Sequence, residues 1–338
     1  MYYKKPTDVL GVLNGMKVKK PTPLRFTNYS YSESSVGFSD LDADIRYKLN
    51  GTGDYTQWDG SPITLQPGEY VEMVGDNQTA ISTVVNHFVI DGQLSASGSV
   101  MALVSSTKIT ETIPQVAFFF AYLFYDCTGL TSAPELPATV LAEYCYHSMF
   151  SGCTGLTSAP ELPATALAEY CYQSMFSRCT GLTSAPELPA TVLADYCYRH
   201  MFRGCTSLTS APELPATVLK ESCYGSMFRN CTSLASASKL HAMSLTDSCC
   251  SEMFSGCTSL ASAPELPAMS LTDSCYNNMF KNCTSLASIE VQFDEWVEDT
   301  TDSWLDGVAA SGTFTCPASL EKIFDDSHIP AGWTVVTK

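Results

Sequence analysis

A 26-residue sentence recurs through the middle of this chain. CTGLTSAPELPATVLAEYCYHSMFSG runs from Cys127 to Gly152. Near copies begin at Cys153, Cys179, Cys205, Cys231 and Cys257, and a truncated copy at Cys283. No insertion or deletion interrupts the period. Such regularity means that each unit is one small element that cannot bury its apolar face alone, so neighbours stack into a solenoid. A body of that kind presents the same chemistry in columns along an extended surface, which suits recognition better than catalysis.

Two patterns coexist inside each unit. Leu130, Ala133 and Leu136 predict a short extended piece, interrupted by Pro134 and Pro137. Leu141, Cys145 and Met149 fall at i, i+4 and i+8, which predicts a helix over residues 139–150. Thr139 is its expected N-cap, Glu143 favours its first turn, and residues 244–247 and 270–273 read as capping-box-like starts. The expected fold is therefore a right-handed α/β repeat solenoid with one short strand and one helix per 26-residue coil. Upstream, LRFTN, DIRYKLN, PITLQ, EYVEMV and HFVIDG are short runs separated by Gly and Asn turns, which predicts an all-β, sandwich-like domain. The division reads as a basic lead segment over 1–22, the all-β domain over 23–108, the solenoid over 109–292 and a C-terminal cap over 293–338. In VAFFFAYLFYDC, Leu123-Phe124 stands in the place of Met149-Phe150, so this stretch is expected to be an atypical first coil.

The unit resembles the BspA-type leucine-rich repeat. Leu130-Thr-Ser-Ala133 followed by Met149-Phe150-Ser-Gly-Cys153 carries the likeness over 127–292, and Leu286-Ala-Ser-Ile289-Glu-Val291 matches the family's L-x-x-I-x-V strand. The other units depart from it. Glu135 stands where an inward aliphatic is expected and Leu136 follows one place later, which suggests a bulge. The resemblance implies a bacterial, often Bacteroides-like, surface or adhesion protein.

Bulk properties narrow the classes. Formal net charge is -17, with no basic stripe of the kind nucleic-acid binding needs. The apolar run 116–124 falls far short of a membrane span of about 20 residues. The opening twenty residues lack the apolar stretch of a signal peptide. The fifteen cysteines fall mostly into two repeat columns, headed by Cys127 and Cys145, and read as small, buried, free thiols. Among enzyme signatures, no phosphate loop, H-E-x-x-H or C-x-x-C occurs, and the histidines are scattered. The chain reads as a non-enzyme without a cofactor or metal site.

What remains is the surface. Residues 147–148 and 151–152 vary between units, and read as exposed positions free to drift. The opposite, strand side is nearly uniform: a serine column, a proline column and a glutamate column interrupted by Lys239. Ser158, Glu161, Ser184, Glu187, Ser210 and Glu213 lie mid-array and are the candidate binding residues. The expected partner is a protein or polysaccharide at a surface, and the expected role is recognition or adhesion at a bacterial cell surface or after secretion. The alternative is a tail or head fibre of a phage virion, assembled in the cytoplasm as a homo-oligomer, which free thiols and the lack of a leader favour. An enzyme with an interdomain site is a distant third.

Overall fold

The computed structural model describes residues 21–107, 113 and 115–338. The basic lead segment, with its expected strand pair, lies almost wholly outside them. The first strands are β1 (Leu24–Thr27), β2 (Ser34–Phe38), β3 (Arg46–Leu49), β4 (Thr56–Gln57), β5 (Ile63–Leu65), β6 (Tyr70–Val74), β7 (Phe88–Asp91) and β8 (Leu94–Ser97). Together with β9 (Leu130–Ser132) they make two sheets, ordered β4-β3-β6-β1-β8-β9 and β5-β2-β7. Strand alternation shows in β5, where Ile63 and Leu65 are buried and Thr64 is exposed. The sheets meet through aromatic rings: Phe26 lies 5.1 Å and Phe38 5.0 Å from Phe88, both edge-on.

The repeat array grows directly from this sheet. The β8–β9 pair is parallel, with Leu94 opposite Leu130 and a register shift beside it. Phe88 stacks on Phe124, and Cys127 donates its thiol to the Phe88 carbonyl at 3.0 Å. One apolar core therefore runs from Leu24 to Trp333.

Residues 139–150 and their repeats do not form helices. The sole helix among the described residues is a 3-10 turn at Val100–Leu103. Each expected helix is a row of β-turns in which alternate N–H groups go opposite ways. Tyr146 N–H donates to the Cys171 carbonyl in the next coil at 3.0 Å. His147 N–H donates back to Tyr144 at 3.0 Å, closing a turn, and Ser148 N–H crosses again, to Gln173 at 2.9 Å. Every fourth residue is left-handed: Tyr144 (φ 54°), Ser148 (φ 51°) and Gly152 (φ 82°), repeated as Tyr170, Ser174 and Arg178. The turn row wins because the apolar residues come in pairs every four positions: Leu141-Ala142, Cys145-Tyr146 and Met149-Phe150, all buried. In a 3.6-residue helix that stripe would rotate by about 40° per repeat and leave the core. A four-residue turn keeps every pair inward, and an identical coil alongside supplies acceptors for the N–H groups that a helix would bond internally. Thr139 and Ser244 therefore cap no helix.

The strand of each coil is also reduced. Regular strands occur only in the first coil, as β9, and the last, as β10 (Ser288–Glu290). Between them the coils meet by single parallel bridges, such as Ser210 with Ser236 and Leu214 with Leu240. Prolines contribute to this in every unit but the one from Cys231, whose two neighbours carry them, since proline has no N–H to donate to a ladder. Where Ile289-Glu290-Val291 replaces the prolines, β10 pairs in register with β11 (Thr313–Cys316), which pairs with β12 (Thr334–Thr337). Turn rows open at Phe118 and extend to Gly307, so the coil pattern runs past both ends of the uniform repeats.

Candidate functional site

On the strand side, the extended TSAPELPAT segment sets which groups face outward. Leu130, Leu136 and Ala138 point into the core, and Glu135 is exposed between them. The candidates Ser158, Glu161, Ser184, Glu187, Ser210 and Glu213 all lie at exposed positions. Adjacent coils leave shallow grooves between them. Ser184, Pro186, Glu187, Ser210, Pro212 and Glu213 line one of about 350 Å³ over a floor of Leu188 and Pro215. The same positions earlier in the array, including Glu135 and Glu161, line a second of about 610 Å³. Lys239, Glu265 and Gln292 line a third of about 470 Å³ with Met243 and Met269.

Some exposed apolar residues fall within the stretch where the sequence predicts a helix or just before it. Val140, Val192 and Val218 form an exposed aliphatic column, with Val192 at 71 % exposure, and Met243 and Met269 occupy the neighbouring position in the last coils. Ala166 occupies the same position between Val140 and Val192. The column's signal was present in Thr139-Val140 and its repeats, but the expected helix hid it. The acidic column is partly compensated at its end, where Lys239 lies 3.4 Å from Glu265. Among the described residues no three His, Cys, Asp or Glu side chains converge as metal ligands would.

The turn side has a different character. The variable positions 147–148 and 151–152 are not simply exposed: Ser148, Ser151 and Gly152 are buried, and His147 is half-buried. Their variation is bounded by the left-handed backbone at 148 and 152. Beside them an aromatic ladder runs from Phe118 through Tyr144 and Tyr170 to Tyr196, with ring centroids 4.3–4.6 Å apart. Arg199 caps it, 5.7 Å from the Tyr196 ring. Burial holds His147 down at about 4. Burial and the nearby Arg199 and Arg203 guanidiniums hold His200 there too. Buried thiols move the other way: Cys145 and Cys179 are pushed up to about 12, which keeps them protonated.

The model of the BspA type leucine rich repeat region matches the chain in 6 copies, over residues 104–234 and 195–328. No curated protein and no solved structure matches.

Proposed function

The chain belongs to the BspA-type leucine-rich repeat family, and from that premise we propose that it is a non-enzymatic recognition protein, displayed at a bacterial surface, whose strand side binds an extended protein partner. The observation that carries this reading is the recurrence of two exposed columns in the same units. The glutamates at 135, 161, 187 and 213 are exposed, and five residues on in the same units Val140, Val192 and Val218 are exposed too. Apolar contact supplies affinity through burial, and the carboxylates supply register against cationic groups. Contacts repeated over several coils add through linkage even where each is weak. The virion-fibre alternative has only the free thiols in its favour among the described residues.

The test is adherence of bacteria displaying the chain to an epithelial monolayer. Glu161→Lys, Glu187→Lys and Glu213→Lys together should reduce adherence to the level of cells lacking the chain, with an unchanged circular-dichroism spectrum. Val192→Asp with Val218→Asp should do the same, and protease treatment of the monolayer should remove binding by the unmodified chain. If both variants adhere as the unmodified chain does, the strand side is scaffold only.

A further inference from the structure

We propose that the turn side carries a second, separate binding site, a groove that takes a short acidic oligosaccharide. The groove measures about 610 Å³, within the range of small-ligand sites, and crosses several coils between Tyr122 and Asn230. Its architecture comes from a column that alternates large and absent side chains: Asp126, Gly152, Arg178, Gly204, Asn230 and Gly256. The absence is sterically required at Gly152 and Gly256, whereas at Gly204, which lines the groove, a Cβ would meet Arg178 only at 3.7 Å and the constraint is the left-handed backbone (φ 75°). A Cβ on Gly152 would stand 1.8 Å from Asp126 Oδ1, and one on Gly256 2.3 Å from Asn230 Oδ1. The polar side chains thus lie across the glycines, two coils apart, and form walls with notches between them.

The groove has the wrong charge for its surroundings. In a chain of net charge -17, three arginines stand about His200. Arg229 is neutralised by Glu252 at 2.5 Å, and Arg199 lies over Tyr196. Arg203 lines the groove, is exposed, and among the described residues meets no carboxylate. Arg178 beside it is shared between Asp126 at 3.5 Å and the Tyr125 hydroxyl at 3.3 Å. One guanidinium with its donors free faces a ligand, and a planar carboxylate matches its fork.

The rest of the lining selects a hydroxyl-rich ligand. Serine and tyrosine hydroxyls both donate and accept, as sugar hydroxyls do; Tyr122 bonds His147 Nε2 at 2.9 Å and Tyr125 accepts from Arg178, each hydroxyl keeping a further site, and Asn230 adds an amide. The coils repeat roughly every 5 Å, about the length of one sugar ring, so successive residues of an oligosaccharide meet equivalent lining. A peptide strand is disfavoured. The N–H groups of Ser174, Ser177 and Arg178 are all used, going to Arg199, Ser174 and Arg203, so the row has none to offer an added strand.

Calorimetric titration of the full chain with a uronic-acid trisaccharide tests the site. Saturable binding is expected for the acid and none for its methyl ester. Arg203→Ala should weaken binding at least tenfold with an unchanged circular-dichroism spectrum, and Arg203→Lys should recover part of it. Glu187→Lys, on the strand side, should leave it intact, so this site and the proposed protein-binding face stand or fall separately. No binding of the acid overturns the proposal. So does equal binding of the ester, equal binding of inorganic phosphate, or an Arg203→Ala variant that binds as the unmodified chain does.

Discussion

The cysteine that opens each unit does a specific job. From Cys153 onward its thiol donates to the carbonyl of a phenylalanine 29 residues back: Cys153 to Phe124, Cys179 to Phe150 and Cys205 to Phe176, each at 3.0 Å. The Phe150 carbonyl already accepts the Cys153 N–H, so the thiol fills a second lone pair in a dry core. A small apolar group with a weak donor is what that position needs. All fifteen cysteines are buried and unpaired. Alkylation of the native chain is therefore expected to be slow, and alkylation after denaturation should label nearly all; six or more intact disulfides would contradict this. The Phe150, Phe176 and Phe202 rings stack 5.5 and 5.7 Å apart. Phe176 is fully buried. Phe176→Ala should cost about 3–5 kcal/mol in chemical denaturation, and a change under about 1 kcal/mol would place the ring outside the core. His147 and His200, held at about 4, remain neutral in the fold at pH values where the unfolded chain, near 6.5, takes up protons. Stability conferred by the neutral forms is thus present above about pH 6.5 and falls as pH drops toward 4. His147→Gln with His200→Gln should flatten that slope by roughly 2–4 kcal/mol after discounting residual solvent exposure, measured as the denaturation midpoint against pH.

The turn row is an element whose bonds are half local and half supplied by the next coil. That makes its response to glycine opposite to a helix's. Ser174 sits at φ 56°, a region that costs an L-residue roughly 1 kcal/mol. Ser174→Gly should be neutral or stabilising by up to about 1 kcal/mol, whereas in a helix it would cost about the same amount. Gly152→Ala should destabilise by about 1–3 kcal/mol, because the position is left-handed and its Cβ collides with Asp126. A destabilising Ser174→Gly, measured by chemical denaturation, would reinstate the helix. The strands tell the same story from the other side. Pro134, Pro137 and their repeats leave single bridges, and a ladder forms again once Ile289-Glu290-Val291 replaces them.

The whole molecule is one continuous core with two unlike faces. Acidic and aliphatic columns occupy the strand side, while arginines and stacked tyrosines gather on the turn side. Coils touch mainly their neighbours, so stability is approximately a sum of coil and interface terms. A Phe202→Ala lesion should therefore raise hydrogen exchange first in the coils on either side, with β1 and β6 protected until global unfolding. Uniform loss of protection across the chain would mean that the sheet and the array unfold as one unit.

By itself the sequence determined that the chain is a stacked repeat, because a period without insertions leaves no other way to bury Leu130, Cys145, Met149 and Phe150 in every copy. It determined the family through Leu130-Thr-Ser-Ala133 and Met149-Phe150-Ser-Gly-Cys153, and it placed Ser184, Glu187, Ser210 and Glu213 at positions that are exposed. The local conformation of the coil was decided only in three dimensions. Spacings of i, i+4 and i+8 are shared by a helix and by a four-residue turn row, and the choice rests on acceptors that a neighbouring coil provides. The exposed Val140 column and the groove at Arg178 and Arg203 were hidden for the same reason. Both depend on which residues lie side by side in coils 26 positions apart, and on glycines whose missing side chains matter only once Asp126 and Asn230 are laid across them.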